Sequence, residues 1–266
     1  YPLRGQRQMG ISDSDMAAEK VIGVYGMGLT QHTHGALNVA MLVNLLLLRG
    51  NIGRPGAGCC PVRGHSNVQG QRTVGIAEKA HLVPMDKLKA LFGFDPPTDD
   101  GMNIVEAVEG LFAGEVRAFI SLGGNLVRAV PDQGRMEQAW AVQDLTVMIS
   151  TKLNRSHLFP AKAALILPCL GRMETDLQAG GVQSVTTEDS FSMISGSIGH
   201  RPPVSDSVKS ELAIVTGIAK AALAPDEHLK WDEWTGDYGL VRDLIEFTYP
   251  ADFRDYNQRM FEPGGF

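Results

Sequence analysis

Residues 21–50 have the sequence VIGVYGMGLTQHTHGALNVAMLVNLLLLRG, in which a short apolar run meets a pair of glycines and then a leucine-rich stretch. The run at residues 21–25 is typical of a β-strand. Apolar residues recur at helical spacing over residues 35–49, and Gly50 follows as a helix terminator. The order strand, glycine turn, helix indicates an α/β unit, in which ligands bind beyond the carboxyl end of the strand.

The next segment, residues 50–75, has the sequence GNIGRPGAGCCPVRGHSNVQGQRTVG and is predicted to be a long irregular connection. Connections of that length are generally functional or disordered, and the Arg, His, Asn and Gln residues among these glycines favour function. Backbone N–H groups and guanidinium groups bind phosphates, while side-chain amides hydrogen-bond with the edges of rings. The segment therefore suits a large, anionic, heteroaromatic ligand.

A second α/β block follows, in which predicted strands alternate with predicted helices. The strands are expected at residues 116–122, 145–149 and 164–167, with helices at 87–92, at 103–113 and from an N-cap at Asp132 to Trp140. This alternation implies a parallel sheet. We therefore expect an α/β fold with Rossmann-like parallel sheets and flanking helices. Residues 171–207 are predicted to be irregular, and a further helix is expected at 211–223.

Composition narrows the class of protein. The net charge of −6 argues against a nucleic-acid-binding surface, and no apolar stretch is long enough to predict a membrane span. The chain has three cysteines, no C-x-x-C motif and no recognisable export leader, so we expect the cytoplasm. His32, His34, His65, Cys59 and Cys60 could be imagined as metal ligands, but their spacing is unspecific, and we expect no metal held by this chain's side chains.

Candidate binding residues lie at the predicted strand ends. Gly26 and Gly28 follow the first strand, although a glycine pair at a strand end is also consistent with a simple turn. Gly123, Gly124 and Asn125 follow the strand at 116–122, where Asn125 could hydrogen-bond with a purine edge. A type I′-like turn is the alternative there.

Arg63, Gly64 and His65 form a candidate catalytic group. One glycine separates the guanidinium from the imidazole, so both can face one cavity. The arginine would orient an anion, and the histidine would donate a hydrogen bond or move a proton near neutral pH. The alternative is an ordinary polar loop, which would leave Asn67 and Gln69 unexplained.

Further segments occur in order along the chain, namely GEVRAFISLGGNLVRAVPD, LTVMISTKLNRSH and ALILPCLGRMETD. Together with the glycine-rich segments they cover roughly residues 20–180. This ordered series resembles the molybdopterin oxidoreductase family, and most closely its formate dehydrogenase-like α subunits, which bind bis(molybdopterin guanine dinucleotide).

The resemblance implies that the chain is the central part of a catalytic α subunit. Residues 1–65 would finish one dinucleotide-binding-like domain, residues 66–170 would form the second, and residues 171–266 would pack on it as irregular segments and helices. The implied cofactor is Mo-bis(molybdopterin guanine dinucleotide) or its tungsten form. The whole enzyme would perform two-electron redox chemistry and pass electrons to a 4Fe-4S cluster, and the cluster cysteines and the metal ligand are implied in a preceding segment.

The same resemblance assigns roles to individual residues. Gln31 matches a cofactor-contacting glutamine, Arg63 matches the arginine that orients the substrate anion, and Asn125 matches the residue that hydrogen-bonds with guanine. His65 would assist Arg63 in catalysis. The expected cofactor-binding set is completed by Gly26, Gly28, Gly64, Asn67, Gln69, Gly123 and Gly124. The implied partners are a small anionic or oxo substrate and an electron-transfer subunit or acceptor, with no nucleic acid and no membrane segment.

Two departures from the family pattern modify these expectations. His65 stands where formate dehydrogenases have glutamine, which argues against formate as the substrate. The segment TDLQAGGVQSVTTEDS after Glu174 lacks the family's E-G-x-x-x-N-x-E-G-R pattern, so no cofactor contacts are carried over to it. The rival hypothesis is a non-catalytic nucleotide-binding or assembly module with the same fold.

Overall fold

The structure, a computed structural model, describes Ser14, residues 17–62 and residues 64–266. These residues form two compact units. The first contains the described residues up to Gln69 together with Glu188–Ser192, and the second contains Gly70–Thr187 and Met193–Phe266. The expected division at residues 65/66 and 170/171 concerns cofactor domains and stays a prediction.

The first unit is built on two parallel strands and the helices that connect them. Its elements are β1 (Ile22–Tyr25), α1 (Met27–Thr30), α2 (Gly35–Leu48) and β2 (Gly58–Pro61), and α3 (Val68–Thr73) begins at its end. The expected first strand and the following helix are therefore confirmed. The expectation that residues 50–75 are irregular throughout was wrong, because β2 lies inside this segment and pairs with β1 from Ile22 opposite Gly58 to Tyr25 opposite Pro61.

The second unit contains a three-stranded parallel sheet in the order β3, β4, β5. Its first elements are a 3-10 turn (Ala80–Leu82), α4 (Met85–Phe92), α5 (Ile104–Ala113), β3 (Ala118–Leu122), α6 (Leu126–Ala129), α7 (Gln133–Ala141), β4 (Leu145–Ser150), a 3-10 turn (Arg155–Leu158) and β5 (Ala163–Pro168). The predicted strands and helices of this block are confirmed, with ends that differ by a few residues. Parallel sheets flanked by helices confirm the expected α/β class.

The helices of this block differ in their capping, and at α4 and α6 the N-cap residues Pro84 and Asn125 make no side-chain cap bond. The Asn103 side chain and Glu106 form a capping box at the start of α5, and Gly114 ends that helix in the left-handed conformation with φ 75°. Asp132 does precede α7 as expected, but its side chain makes no cap hydrogen bond and its φ is 58°. The expected capping bond at Asp132 was therefore wrong.

The core of the second unit lies on both faces of β4. Met148 points to one face, where it packs with the fully buried Trp140 of α7. Val147 and Ile149 point to the other face, where they pack with Ile214. A central parallel strand that is covered on both sides needs apolar residues at nearly every position, which explains the sequence LTVMIS.

Charged residues form ion pairs at the edge of this sheet where its three strands begin. Arg117, Asp144 and Lys162 immediately precede β3, β4 and β5. The Asp144 carboxylate accepts hydrogen bonds from Arg117 Nε at 2.6 Å and from Lys162 Nζ at 2.8 Å. The bonds from Lys162 and Arg117 lower the pKa of Asp144 below its usual value.

The remainder of the second unit combines short strands with four helices, and the last residue of one of these strands, Glu188, belongs to the first unit. These elements are β6 (Leu177–Gln178), β7 (Gly181–Val182), β8 (Val185–Glu188), β9 (Ile194–Ser197), α8 (Glu211–Ala222), α9 (Trp231–Gly236), α10 (Tyr238–Thr248) and α11 (Tyr256–Arg259). The segment expected to be irregular thus contains paired short strands. A third buried cluster joins Ile194 to Phe253, Tyr256 and Met260. In the described part of the chain, no helix is both long and apolar enough to cross a lipid bilayer.

Candidate functional site

The carboxyl ends of β1 and β2 form what we call the first strand edge. Val62 continues the pairing beyond β2, because its backbone N–H donates to the Tyr25 carbonyl oxygen at 2.7 Å. A Cβ atom at Gly64 would lie 2.5 Å from Met27 Cε, so glycine lets the end of the Met27 side chain lie against the backbone of the loop after β2. The turn after β1, with Gly26 and Gly28, is thereby brought against the loop after β2.

The side chains expected at this edge differ in their exposure and in the contacts that the structure gives them. Gln31 is exposed, and its side-chain amide lies 3.5 Å from Met27 Sδ. His65 is exposed in the loop between β2 and α3. Arg63 lies outside the described residues. The first strand edge therefore brings Gly26, Gly28, Gln31 and the Gly64–His65 pair together within one unit.

Asn67 and Gln69 contact a segment that is distant in sequence, the turn Glu188–Ser192. The Asn67 side-chain carbonyl accepts a hydrogen bond from the Glu188 backbone N–H at 3.0 Å. Gln69 Nε2 donates to Glu188 Oε1 at 2.9 Å and to Ser192 Oγ at 3.0 Å. Ser190 Oγ donates to the Pro61 carbonyl oxygen at 2.8 Å. These bonds fasten the turn to the loop that carries His65.

Glu188 is a residue of this site that sequence reasoning missed. It is only 7% exposed, and its second oxygen, Oε2, has no hydrogen-bond partner among the described residues. Its contacts with Asn67 and Gln69 span about 120 residues of sequence. No local pattern points to such a contact, so the sequence offered no signal for it.

The carboxyl ends of β3, β4 and β5 form the second strand edge. Gly123 and Gly124 follow β3 with φ values of 69° and 78°, and a Cβ atom built on either would meet no other atom within 4 Å. The Gly123 N–H is tied to the Ile149 carbonyl oxygen at 2.8 Å, so β4 fixes the turn. The result is an anchored glycine turn beside open space, which fits the close approach of a ligand.

Asn125 lies against residues 154–157, which follow β4. Asn154 Nδ2 donates to the Gly124 carbonyl oxygen at 2.7 Å, and Ser156 Oγ donates to Asn125 Oδ1 at 3.3 Å. His157 accepts a hydrogen bond from the Asn154 N–H, and its buried Nε2 has no partner among the described residues. Sequence reasoning assigned no role to these three residues, although their position just beyond β4, at the carboxyl edge of the expected sheet, was a usable signal.

The chemistry of this second edge fits a nucleotide. Open glycine backbone, an amide side chain and an unpartnered imidazole nitrogen are suited to phosphate oxygens and base edges. Among residues 17–62 and 64–266, no group of three or more His, Cys, Asp or Glu could hold a metal ion. Asn125 is half-buried and Gly124 is exposed, so a ligand can reach both.

The sequence of the chain is similar to those of known oxidoreductases. The family model for the molybdopterin oxidoreductases matches residues 8–176. The chain is 50% identical over 256 residues to protein YdeP of Escherichia coli strain CFT073, which covers 96% of this chain and 34% of that protein. It is 44% identical over 251 residues to the uncharacterized oxidoreductase Rv2900c of Mycobacterium tuberculosis, covering 94% and 32%. It is 29% identical over 162 residues to the putative formate dehydrogenase YrhE of Bacillus subtilis, covering 58% and 16%. The chain thus spans about a third of the length of its more similar curated relatives.

Proposed function

The chain belongs to the molybdopterin oxidoreductase family, and on that basis we propose that it is the central portion of a catalytic α subunit. The whole enzyme is a formate dehydrogenase-like oxidoreductase that binds Mo-bis(molybdopterin guanine dinucleotide) or its tungsten form. The matched segment includes both strand edges, from Gly26 to Asn125. Each strand edge is proposed to hold one guanosine arm of the cofactor.

The observation that carries this proposal is the anchored, open glycine turn at the second strand edge. Gly123 and Gly124 leave room for a ligand against their backbone, and Asn125 stands directly beside them. The unpartnered His157 Nε2 adds a polar group that a ligand can satisfy. These features support a nucleotide at this edge.

The chain's own residues are proposed to bind, to orient and to move a proton. When bound, the cofactor supplies the two-electron redox chemistry. Arg63 orients a small anionic or oxo substrate through its planar guanidinium group, which binds carboxylates and oxoanions in a fork that lysine lacks. His65, exposed two residues farther along the same connection, donates a hydrogen bond to the substrate or moves a proton at it. The histidine at this position argues against formate as the substrate.

The first strand edge is proposed to hold the second arm through Gly26, Gly28, Gln31 and Gly64. Asn67 and Gln69 belong to the same proposed contact set, and their side chains also hold the Glu188–Ser192 turn. Their contribution is therefore twofold, because the turn fixes the loop from which they and His65 would reach the cofactor. We place a 4Fe-4S cluster in the remaining part of the polypeptide, with an electron-transfer subunit or acceptor as partner and the cytoplasm as location.

Arginine substitutions in the full-length enzyme test the proposed roles. With a dye as electron acceptor and a panel of small anionic and oxo substrates, Arg63→Ala should lower kcat/KM by roughly a hundredfold, the order expected when a charge-stabilising donor is removed. Arg54→Ala is the matched control, because Arg54 lies in the same segment and pairs with Glu19. Equal turnover in Arg63→Ala and the wild type would show that this assignment is wrong.

A further inference from the structure

Residues 154–157 contribute a second wall to the second strand edge. They follow β4, and a 3-10 turn (Arg155–Leu158) begins inside them. Asn154 joins this wall to the glycine turn by donating to the Gly124 carbonyl oxygen at 2.7 Å. Neighbouring groups determine which atoms of two further side chains, Ser156 and His157, donate hydrogen bonds and which accept them.

Ser156 fixes the orientation of the Asn125 amide. The Ser156 hydroxyl accepts a hydrogen bond from the Val127 backbone N–H at 3.3 Å, and its own proton is then free to be donated. Asn125 Oδ1 lies 3.3 Å from this hydroxyl and accepts that proton. An amide can place only one of its two ends toward Ser156, so the NH2 group of Asn125 turns away from it. Ser156 is 4% exposed, which shields this arrangement from water.

His157 has a defined tautomer for a similar reason. The Asn154 backbone N–H points at His157 Nδ1 at a distance of 3.0 Å, and a proton on Nδ1 would oppose that donor. Nδ1 also lies 3.2 Å from Asn154 Oδ1, which accepts from the Ser156 N–H at 2.9 Å, but the Asn154 N–H is closer and can only donate. Nδ1 is therefore the acceptor, and the neutral ring carries its proton on Nε2. That Nε2–H group is buried and has no acceptor among the described residues.

We propose that the Asn125 NH2 group and the His157 Nε2–H group form a donor pair that binds acceptor oxygens of the nucleotide arm. The acceptors are the base carbonyl or the phosphate oxygens, and Ser156 is the positioning residue that presents the Asn125 NH2 group to them. This inference rests on the proposed function and extends it. It makes Asn125 a hydrogen-bond donor to the nucleotide arm.

The donor pair also explains why a buried imidazole nitrogen is left unpaired here. A buried donor without an acceptor destabilises a protein, so such groups in folded proteins generally have a partner in the functional state. A ligand seated on the open Gly123–Gly124 turn would lie beside residues 154–157, because Asn154 Nδ2 donates to the Gly124 carbonyl oxygen, and an oxygen of that ligand is the acceptor that this inference assigns. The ligand would replace the hydrogen bond that the chain itself lacks.

Nucleotide titration of the full-length protein, prepared free of cofactor, tests the inference. GDP, ADP and guanosine are the probes, and affinity is measured by calorimetry. His157→Phe should weaken GDP binding by about tenfold, the order expected for one hydrogen bond. His157→Gln, which keeps an N–H group near the Nε2 position, should restore most of it. A loss confined to GDP and guanosine identifies the base carbonyl as acceptor, and a loss shared by GDP and ADP identifies the phosphates.

Controls separate this inference from the proposed function. His228→Phe is the matched histidine control, because His228 pairs with Asp226 and is exposed, and it should bind GDP as the wild type does. Wild-type GDP affinity in a folded His157→Phe protein would overturn the donor pair while the proposed function stands. Absence of GDP binding by the wild type would overturn both. Ser156→Ala should weaken GDP binding, because the Asn125 amide is no longer oriented. Ser156→Thr, which keeps the hydroxyl and the bond from the Val127 N–H, should retain binding.

Discussion

Asn154→Ala removes a side chain that connects residues 154–157 with the glycine turn of the second strand edge. The substitution removes the bond from Nδ2 to the Gly124 carbonyl oxygen at 2.7 Å and the cap bond from the Ser156 N–H to Oδ1 at 2.9 Å. Loss of a helix-capping side chain costs about 1 kcal/mol, and loss of one further hydrogen bond costs about 1 kcal/mol. The local free energy of opening should therefore fall by about 2 kcal/mol. That change corresponds to amide exchange that is roughly 30-fold faster.

Hydrogen–deuterium exchange with mass spectrometry on the full-length protein measures this directly. Peptides that contain the Ser156 and Val127 amides should exchange faster, because both amides are bonded within this wall. Asn154→Asp keeps the cap oxygen but loses the donor to Gly124, so it should recover about half of the protection. Asn103→Ala, which removes the cap of α5, is the matched control and should accelerate exchange only near that helix. Unchanged exchange at Ser156 in Asn154→Ala would refute the reasoning.

Three further outcomes are expected. Trp140→Ala should destabilise the second unit by about 3–5 kcal/mol in denaturant unfolding, because the ring is fully buried; a loss below about 1 kcal/mol would contradict this. Burial raises the pKa of the Cys169 thiol to about 11, so the unfolding free energy should fall as pH rises from about 9 to about 11. Cys169→Ala should make this fall smaller, while the raised pKa values of Tyr238 and Tyr249 keep a part of it above pH 10; an unchanged pH profile would refute it. Gln69→Ala should accelerate exchange in Glu188–Ser192, whereas Gln71→Ala, in the exposed part of α3, should not; equal effects would argue against the fastening role.

The parallel strands were predictable because their signals are local. The run that forms β1 is apolar and ends at glycines, and β4 has the continuous apolar pattern of a strand covered on both faces. β2 was missed because Gly58–Pro61 shows no alternation and becomes a strand only by pairing with β1. Its place in the sheet is a tertiary property.

The candidate site divides in the same way. Gly123, Gly124 and Asn125 were predictable because they directly follow a recognisable strand. The partner of Asn67 and Gln69 was not, because Glu188 lies about 120 residues farther along the chain. The role of His157 depends on the direction of one backbone N–H group, which the sequence does not reveal. Polar contacts between distant segments depend on the folded arrangement rather than on any local pattern.

The guanine nucleotide and metal content of the purified full-length protein tests the central claim most directly. Acid release followed by chromatography measures the nucleotide, and elemental analysis measures molybdenum and tungsten. The account predicts two guanine nucleotides for each molybdenum or tungsten atom, with both reduced together in Asn125→Ala. A folded protein that contains neither the metals nor guanine nucleotide would contradict it and would favour a non-catalytic module with the same fold.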